Sequence, residues 1–251
     1  MVERGIFATR SRAAAAVMAG DVTVGTERVP VSKPGTQVSR NVAIELAPGP
    51  RYVSRGGLKL EHALEQMQVP VEGRHALDVG ASTGGFTDCL LRRGAQRVIA
   101  VDVGYGQLDW TLRNDPRVVV LERTNARHLE PDQLPYAPDL ATIDVSFISL
   151  AKVLPAVAAC LAQGGEILAL VKPQFELGRG RVRGGVVRAP EERREALLAV
   201  AEAAADVGLS VRGFAPSGLP GPKGNRETFI RLAMDEGGVE DLDAAVAEVE
   251  A

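Results

Sequence analysis

At 251 residues, 45% of them apolar, the chain is long enough to bury a full core and to carry a small domain beside a large one. No apolar run reaches the roughly 18 residues of a membrane-spanning helix, and Arg4 and Arg10 are not followed by an apolar segment, so neither a spanning helix nor a signal peptide is expected. The net charge of −3 is unevenly spread: residues 1–60 hold nine Lys/Arg against four Asp/Glu, whereas the last seventeen residues hold seven acids and no base.

A basic N-terminal module on an acidic body points to a polyanionic partner at one end. Cys89 and Cys160 fall in apolar helical patterns without metal-ligand spacing, so buried thiols in a reducing, cytoplasmic setting are expected, and no metal site. His62, His75 and His128 share no spacing and read as structural or surface residues.

In chain order, residues 1–20 read as helix, alanine-rich from Ser11 to Ala19 and stopped by Gly20. Short strand-like runs follow at Val22-Thr23-Val24, Val29-Pro30-Val31 and Val42 to Leu46. Pro48-Gly49-Pro50 then breaks the chain, which makes 48–54 a linker behind an N-terminal module of residues 1–47. From Gly56 to Met67, the spacing of Leu58, Leu60, Ala63, Leu64 and Met67 is helical. Beyond it, strand-like runs at 75–80, 97–103, 117–121, 139–144, 166–171, 208–214 and 227–233 alternate with helical patterns at 84–93, 149–162 and 190–207. That alternation predicts an α/β fold around a seven-stranded, mostly parallel sheet with helices on both faces, its last two strands forming an antiparallel hairpin. Residues 174–188, rich in Gly and Arg, read as a long mobile loop. The acidic tail, 235–251, is either an amphipathic helix through Val239, Leu242, Val246 and Val249 or loosely attached.

The most informative stretch runs from Leu77 to Thr87, a buried strand leading into a turn of small residues that opens a helix. A second apolar run, Arg97 to Val101, ends on Asp102. In a parallel sheet this pairing makes a nucleoside site: glycines let the backbone approach a ligand, and the acid accepts hydrogen bonds from ribose hydroxyls. A dinucleotide pyrophosphate would want G-x-G-x-x-G. The spacing here, Asp78-x-Gly80-x-x-x-Gly84, suits the amino-acid end of S-adenosylmethionine.

Strand ends supply further chemistry. Asp144 ends one buried run, Lys172 ends another, Glu227 begins the last, and Lys59 sits on the early helix behind Arg55-Gly56-Gly57. A Lys-Asp-Lys-Glu set suits methyl transfer to a ribose 2′-hydroxyl, a poor nucleophile while protonated. A lysine made less basic by burial or by a second cation can take that proton, a carboxylate can position it, and the other cation can orient the hydroxyl.

Taken together, five strings resemble the TlyA family of rRNA methyltransferases, some of which carry hemolysin names. They are Tyr52 to Leu60, Asp78 to Thr87, Ile143 to Ser149, Val171 to Glu176 and Gly224 to Glu227. The resemblance implies an FtsJ-like, Rossmann-like class I methyltransferase domain over 55–234, followed by the acidic tail 235–251. It places the catalytic tetrad on Lys59, Asp144, Lys172 and Glu227. S-adenosyl-L-methionine is expected against Asp78, Gly80, Ala81, Ser82, Thr83, Gly84, Gly85, Phe86, Asp102, Asn125 and Asp144. The implied reaction is 2′-O-methylation of cytidine in 16S and/or 23S rRNA, with rRNA in ribosomal subunits as partner and no membrane partner required.

Residues 1–47 look like the small α+β RNA-binding module of ribosomal protein S-four, through Thr9 to Arg12, Gly20 to Val24 and Lys33 to Thr36. That module normally opens with a longer first helix. Here Met1 to Gly5 begins inside it, so the true start lies upstream or the module is trimmed. RNA contacts are expected from Arg4, Arg10, Arg12, Lys33 and Arg55, and from the loop residues Arg179, Arg181, Arg183 and Arg188; contacts to phosphate position an RNA without reading its sequence. Two other readings compete. A non-catalytic RNA-binding or ribosome assembly factor leaves an intact pocket and a full tetrad unexplained. A membrane-active hemolysin has no spanning helix, alternating barrel strands or strongly basic amphipathic helix to work with.

Overall fold

Apolar runs that do not alternate with polar residues need cover on both faces, and a parallel sheet between helix layers provides it. The computed structural model describes residues 1–47, 51–178, 181–221, 223–235 and 237–250. It divides into two compact units, Met1–Arg51 and Tyr52–Ala251.

In the first unit, helix α1 (Arg10–Ala19) is followed by strands β1 (Val22–Val24), β2 (Val29–Pro30) and β3 (Ile44–Leu46), which form an antiparallel sheet in the order β2-β1-β3. The helix is shorter than the span 1–20 expected from sequence. The Thr9 hydroxyl accepts from Arg12 N at 3.3 Å and so caps the helix there, and residues ahead of it turn through Gly5, at φ +70°. Gly20, at φ +85°, ends the helix, and Ala13 and Val17, one turn apart, are buried together with Val22.

The second unit opens with α2 (Arg55–Gln66), β4 (His75–Val79), α3 (Gly85–Arg92), β5 (Arg97–Val101), α4 (Trp110–Arg113) and β6 (Val118–Leu121). It continues through β7 (Leu140–Ile143), α5 (Leu154–Cys160), β8 (Glu166–Val171), α6 (Pro173–Glu176), α7 (Pro190–Ala205), β9 (Ser210–Pro216), β10 (Thr228–Ala233) and α8 (Leu242–Val249). The sheet order is β6-β5-β4-β7-β8-β10-β9; β4 to β8 pair in parallel, and β10 runs antiparallel between β8 and β9. Successive residues face opposite layers. Leu77, Val79, Ile99, Ile143, Ile167 and Val171 pack with α5, α7 and α8, whereas Ala76, Val98, Leu140, Leu168, Leu170 and Phe229 pack with α2 and α3. Cys89 and Cys160 are free and buried in these layers, and desolvation pushes the Cys89 thiol up to about 12. Among the described residues no helix is long and apolar enough to cross a membrane.

Two segments depart from expectation, and a third, the acidic tail, takes the helical one of its two alternatives. The helical pattern 149–162 divides into a 3-10 turn, Leu150–Lys152, and α5, because Pro155 lacks an N–H and belongs in a first helical turn. The segment read as the loop 174–188 holds α6 and a kinked turn, Arg183–Gly185, that passes through left-handed Gly184 and Gly185. Buried Asn225 fastens it, donating to Gly185 O and accepting from Val187 N, both at 2.8 Å. The acidic tail forms α8, capped by Asp241, and ends on buried Glu250, which pairs with Arg193 at 2.5 Å and accepts from the Thr228 hydroxyl at 3.1 Å.

Asp78 faces the α2–α3 layer with no exposed surface, accepting from the Thr87 hydroxyl at 2.6 Å and, more loosely, from that of Thr142 at 3.4 Å. Desolvation pushes its carboxyl up to about 7, and the nearby charge of Asp144 adds to this against the lowering effect of the Thr87 hydrogen bond. The ordinary value lies below the folded one, so the stability this group contributes is complete in acid and is lost as pH rises toward and through 7, by about 1.4 kcal/mol per pH unit inside that window. Replacing Asp78 by Asn removes the titration. The Tm difference between wild type and Asp78→Asn is expected to shift steadily against the wild type between about pH 4 and 7; a constant difference across that range contradicts the buried, protonated carboxyl.

Candidate active site

The site is built at the carboxyl ends of β4, β5, β7 and β8, where parallel sheets collect ligands. After β4 the chain turns through Gly80 at φ +84°, and a Cβ there would stand 2.5 Å from the Asp144 carbonyl oxygen. Only glycine permits both the conformation and the approach. Gly80 N and Ala81 N both donate to Val101 O, at 2.8 and 3.1 Å, which ties the turn to the end of β5. Ser82 N donates to Asp102 Oδ2 at 2.8 Å, and Gly104 N to Asp102 Oδ1 at 2.6 Å. Asp102 is thereby held rigidly, and each oxygen keeps a lone pair for a ribose hydroxyl.

Two adjoining clefts open on this turn and share Gly80, Ser82 and Asp144. One, of about 550 Å³, is lined by Asp102, Asn125, Val145 and Phe147 among others. The other, of about 420 Å³, is lined by Arg55, Lys59, Thr83, Gly85 and Phe86. A carboxylate at one end and a bare-backbone turn in the middle fit the ribose and the amino-acid end of S-adenosylmethionine. Asp78, placed in the cofactor set by sequence, does not reach either cleft: its side chain is spent beneath the turn on Thr87 and Thr142.

The four tetrad residues form two ion pairs. Lys59 Nζ lies 2.5 Å from Glu227 Oε2, and Lys172 Nζ lies 2.5 Å from Asp144 Oδ1. Lys59 and Asp144 line the same cleft. Thr228 pairs with Val171 across the antiparallel β10–β8 ladder, so Glu227 and Lys172 each lie one residue beyond that pair, at one edge of the sheet. Lys59 arrives from α2, whose N-terminus is capped by Ser54 accepting from Gly56 N at 3.3 Å. The helix sits close to α3: a Cβ on Gly85 would stand 2.2 Å from Ser54 Oγ.

The expected RNA contacts fall into separate states. Arg4 donates its guanidinium to the carbonyls of Val42, at 2.7 Å, and of Arg40, and so braces its own module. Arg10, Arg12 and Lys33 are exposed. Arg55 borders the cleft and donates to Pro220 O at 3.0 Å. Arg181 is engaged by both carboxylate oxygens of Glu195. Arg179 and the side chain of Arg183 lie outside the described residues.

Sequence reasoning missed four residues. Ser54 was findable as a capping side chain directly before a helical pattern. Asn225, Ser146 and Phe147 carried no pattern of their own; Phe147 is 91% exposed with φ +65°, and Ser146 accepts from Lys172 Nζ at 3.0 Å.

The FtsJ-like methyltransferase family matches residues 52–234. The chain is 49% identical to the 16S/23S rRNA (cytidine-2′-O)-methyltransferase TlyA of Mycobacterium tuberculosis, over 99% of this chain and 96% of that protein. It is 39% identical to Hemolysin A of Brachyspira hyodysenteriae, over 92% and 96% of the two chains. A solved structure from Streptococcus thermophilus that carries a hemolysin name is 43% identical and superposes with a TM-score of 0.77, over 98% of this chain and 92% of that one. With a matching family over most of its length and a relative at this identity over nearly all of it, the chain belongs to the FtsJ-like methyltransferases and, within them, to the TlyA family.

Proposed function

We propose that this protein methylates the 2′-oxygen of a cytidine in ribosomal RNA, in the cytoplasm and on ribosomal subunits, with Lys172 as the base. The observation that carries this reading is the pair of lysine–carboxylate contacts beside a glycine-walled cleft. S-adenosylmethionine, when bound, supplies a methyl group on a cationic sulfur, and Gly80 to Phe86, Asp102, Asn125 and Asp144 are the residues to hold it. Lys172, as the neutral amine, receives the proton of the ribose hydroxyl at Nζ, and Asp144 keeps that nitrogen at the cleft and pairs with the ammonium that forms. Lys59, fixed by Glu227, orients the ribose oxygen. Fixing the reacting atoms in line is the protein's main contribution, worth roughly 7–11 kcal/mol in well-aligned reactions. The target base is held outside any helix it came from, since the ribose oxygen has to reach the cleft.

Arg55 suits the strand that enters, and Arg10, Arg12 and Lys33 suit phosphate contacts on the N-terminal unit. The name of the M. tuberculosis relative includes both rRNAs, so each subunit is offered as substrate.

Labelled methyl transfer to 30S and 50S subunits lacking ribose methylation tests the function and identifies the subunit. Lys172→Ala is expected to lower turnover by about 100-fold or more while cofactor binding persists. Wild-type turnover in that variant removes the base assignment. Asp102→Ala is expected to weaken S-adenosylmethionine binding by about tenfold in calorimetry; unchanged affinity removes Asp102 from the ribose. Arg10→Gln with Arg12→Gln is expected to weaken RNA binding and to reduce the log–log salt slope by about 2, and an unaltered slope takes both residues out of the interface.

A further inference from the structure

Lys172 Nζ is held by two oxygens in different ways. Asp144 Oδ1 is the closer, at 2.5 Å, yet the approach is not aligned as a hydrogen bond, and that oxygen accepts none. The aligned bond runs from Lys172 Nζ to Ser146 Oγ, at 3.0 Å. An ion pair attracts an ammonium from any side, whereas a hydrogen bond fixes its direction. Ser146 lines the cleft that also holds Asp102 and Asp144.

The distance between Ser146 and Lys172 is set by rigid links. Helix α6 begins directly after Lys172, and Phe175 N donates back to Lys172 O at 2.8 Å. The turn that carries Ser146 is fastened to this helix twice. Phe147, turned by its left-handed backbone, packs its ring on Phe175 with centroids 5.1 Å apart. Leu150 N donates to the Glu176 carboxylate at 3.1 Å. A left-handed conformation at a bulky aromatic is strained and persists only where the surroundings hold it. Here it is held at the residue next to Ser146.

We propose that Ser146 is a positioning residue for methyl transfer, its Oγ setting the direction of Lys172 Nζ so that the remaining face of the nitrogen meets the ribose hydroxyl. As a base Lys172 is a neutral amine with two N–H directions and one lone pair. One N–H is drawn to Asp144 and one is spent on Ser146, which leaves the lone pair for the proton of the ribose hydroxyl. The assignment rests on Lys172 being the base, and its test separates the two.

The experiment uses the full chain, with steady-state methyl transfer to whichever subunit the wild type modifies, and compares Ser146→Ala, Ser146→Thr and Lys172→Ala. Ser146→Ala is expected to lower kcat about tenfold, with KM for RNA and for S-adenosylmethionine within about twofold of wild type. Ser146→Thr, which keeps the hydroxyl, is expected to restore most of the rate. Equilibrium binding of S-adenosylmethionine to Ser146→Ala checks that the cleft is intact. Wild-type kcat in Ser146→Ala beside an inactive Lys172→Ala overturns the role of Ser146 alone. A raised KM for RNA with unchanged kcat makes Ser146 an RNA contact and overturns it as well. Wild-type turnover in Lys172→Ala overturns the base and the positioning residue together.

Discussion

The site depends on the direction in which one strand is inserted. β10 runs against β8 with Thr228 opposite Val171, so the residue that enters β10 and the residue that leaves β8 share one edge of the sheet. Inserted in parallel, the same strand of six residues would carry Glu227 to the opposite edge, roughly 20 Å away at about 3.3 Å per residue. Antiparallel insertion instead delivers a carboxylate to the carboxyl ends of the parallel strands, where Gly80, Asp102, Asp144 and Lys172 already lie. The entry of β10 is itself fastened, since Thr228 donates to Glu250, which pairs with Arg193 of α7. The C-terminal segment is therefore part of what holds the end of the sheet where Glu227 and Lys172 meet.

The second constraint is backbone proximity. A nucleoside cleft between two strand ends exists only if the first turn lies flat against the neighbouring strand, and Gly80 against the Asp144 carbonyl provides that. The same economy recurs where α2 meets α3, with Gly85 against Ser54, and behind Glu227, where a Cβ on Gly221 would stand 2.3 Å from Oε1. Side chains then carry the chemistry while main chain shapes the space.

The parts of this architecture legible in sequence are those governed by burial on both faces. Seven apolar runs became seven strands because each is covered above and below. Lys172 and Asp144 stood out because charges at the tips of such runs are hard to explain as solvated surface. What sequence did not convey was set by single tertiary contacts. Asp78 opens the most telling motif, yet the side chain turns to Thr87, beneath the cleft. The segment 174–188 has the composition of a free loop, yet Asn225, some forty residues on, fastens its later part. The start of α1 depended on one hydroxyl, Thr9, within a helix-favouring run. Arg4 and Arg181 read as free cations because their partners, the carbonyls of Arg40 and Val42 and the carboxylate of Glu195, are distant along the chain or lack a helical spacing to announce them.

The two ion pairs are alike in composition and different in setting, and the difference bears on which lysine does which task. Four isolated charges could not be sequestered at this depth; two neutral pairs can, because each cation offsets the desolvation of its anion. The Lys59–Glu227 pair is almost dry, with side chains 10% and 1% exposed, and a pair in that state is costly to separate. It suits a fixed element that orients an oxygen. In the other pair the Asp144 side chain is 26% exposed and faces both clefts, while Lys172 has a neutral hydroxyl as its second partner. A lysine held by one partly hydrated carboxylate and one hydroxyl can exchange its proton without leaving a bare charge in the core. The proposed roles follow this difference, with the wetter pair assigned the proton and the drier pair the fixed position.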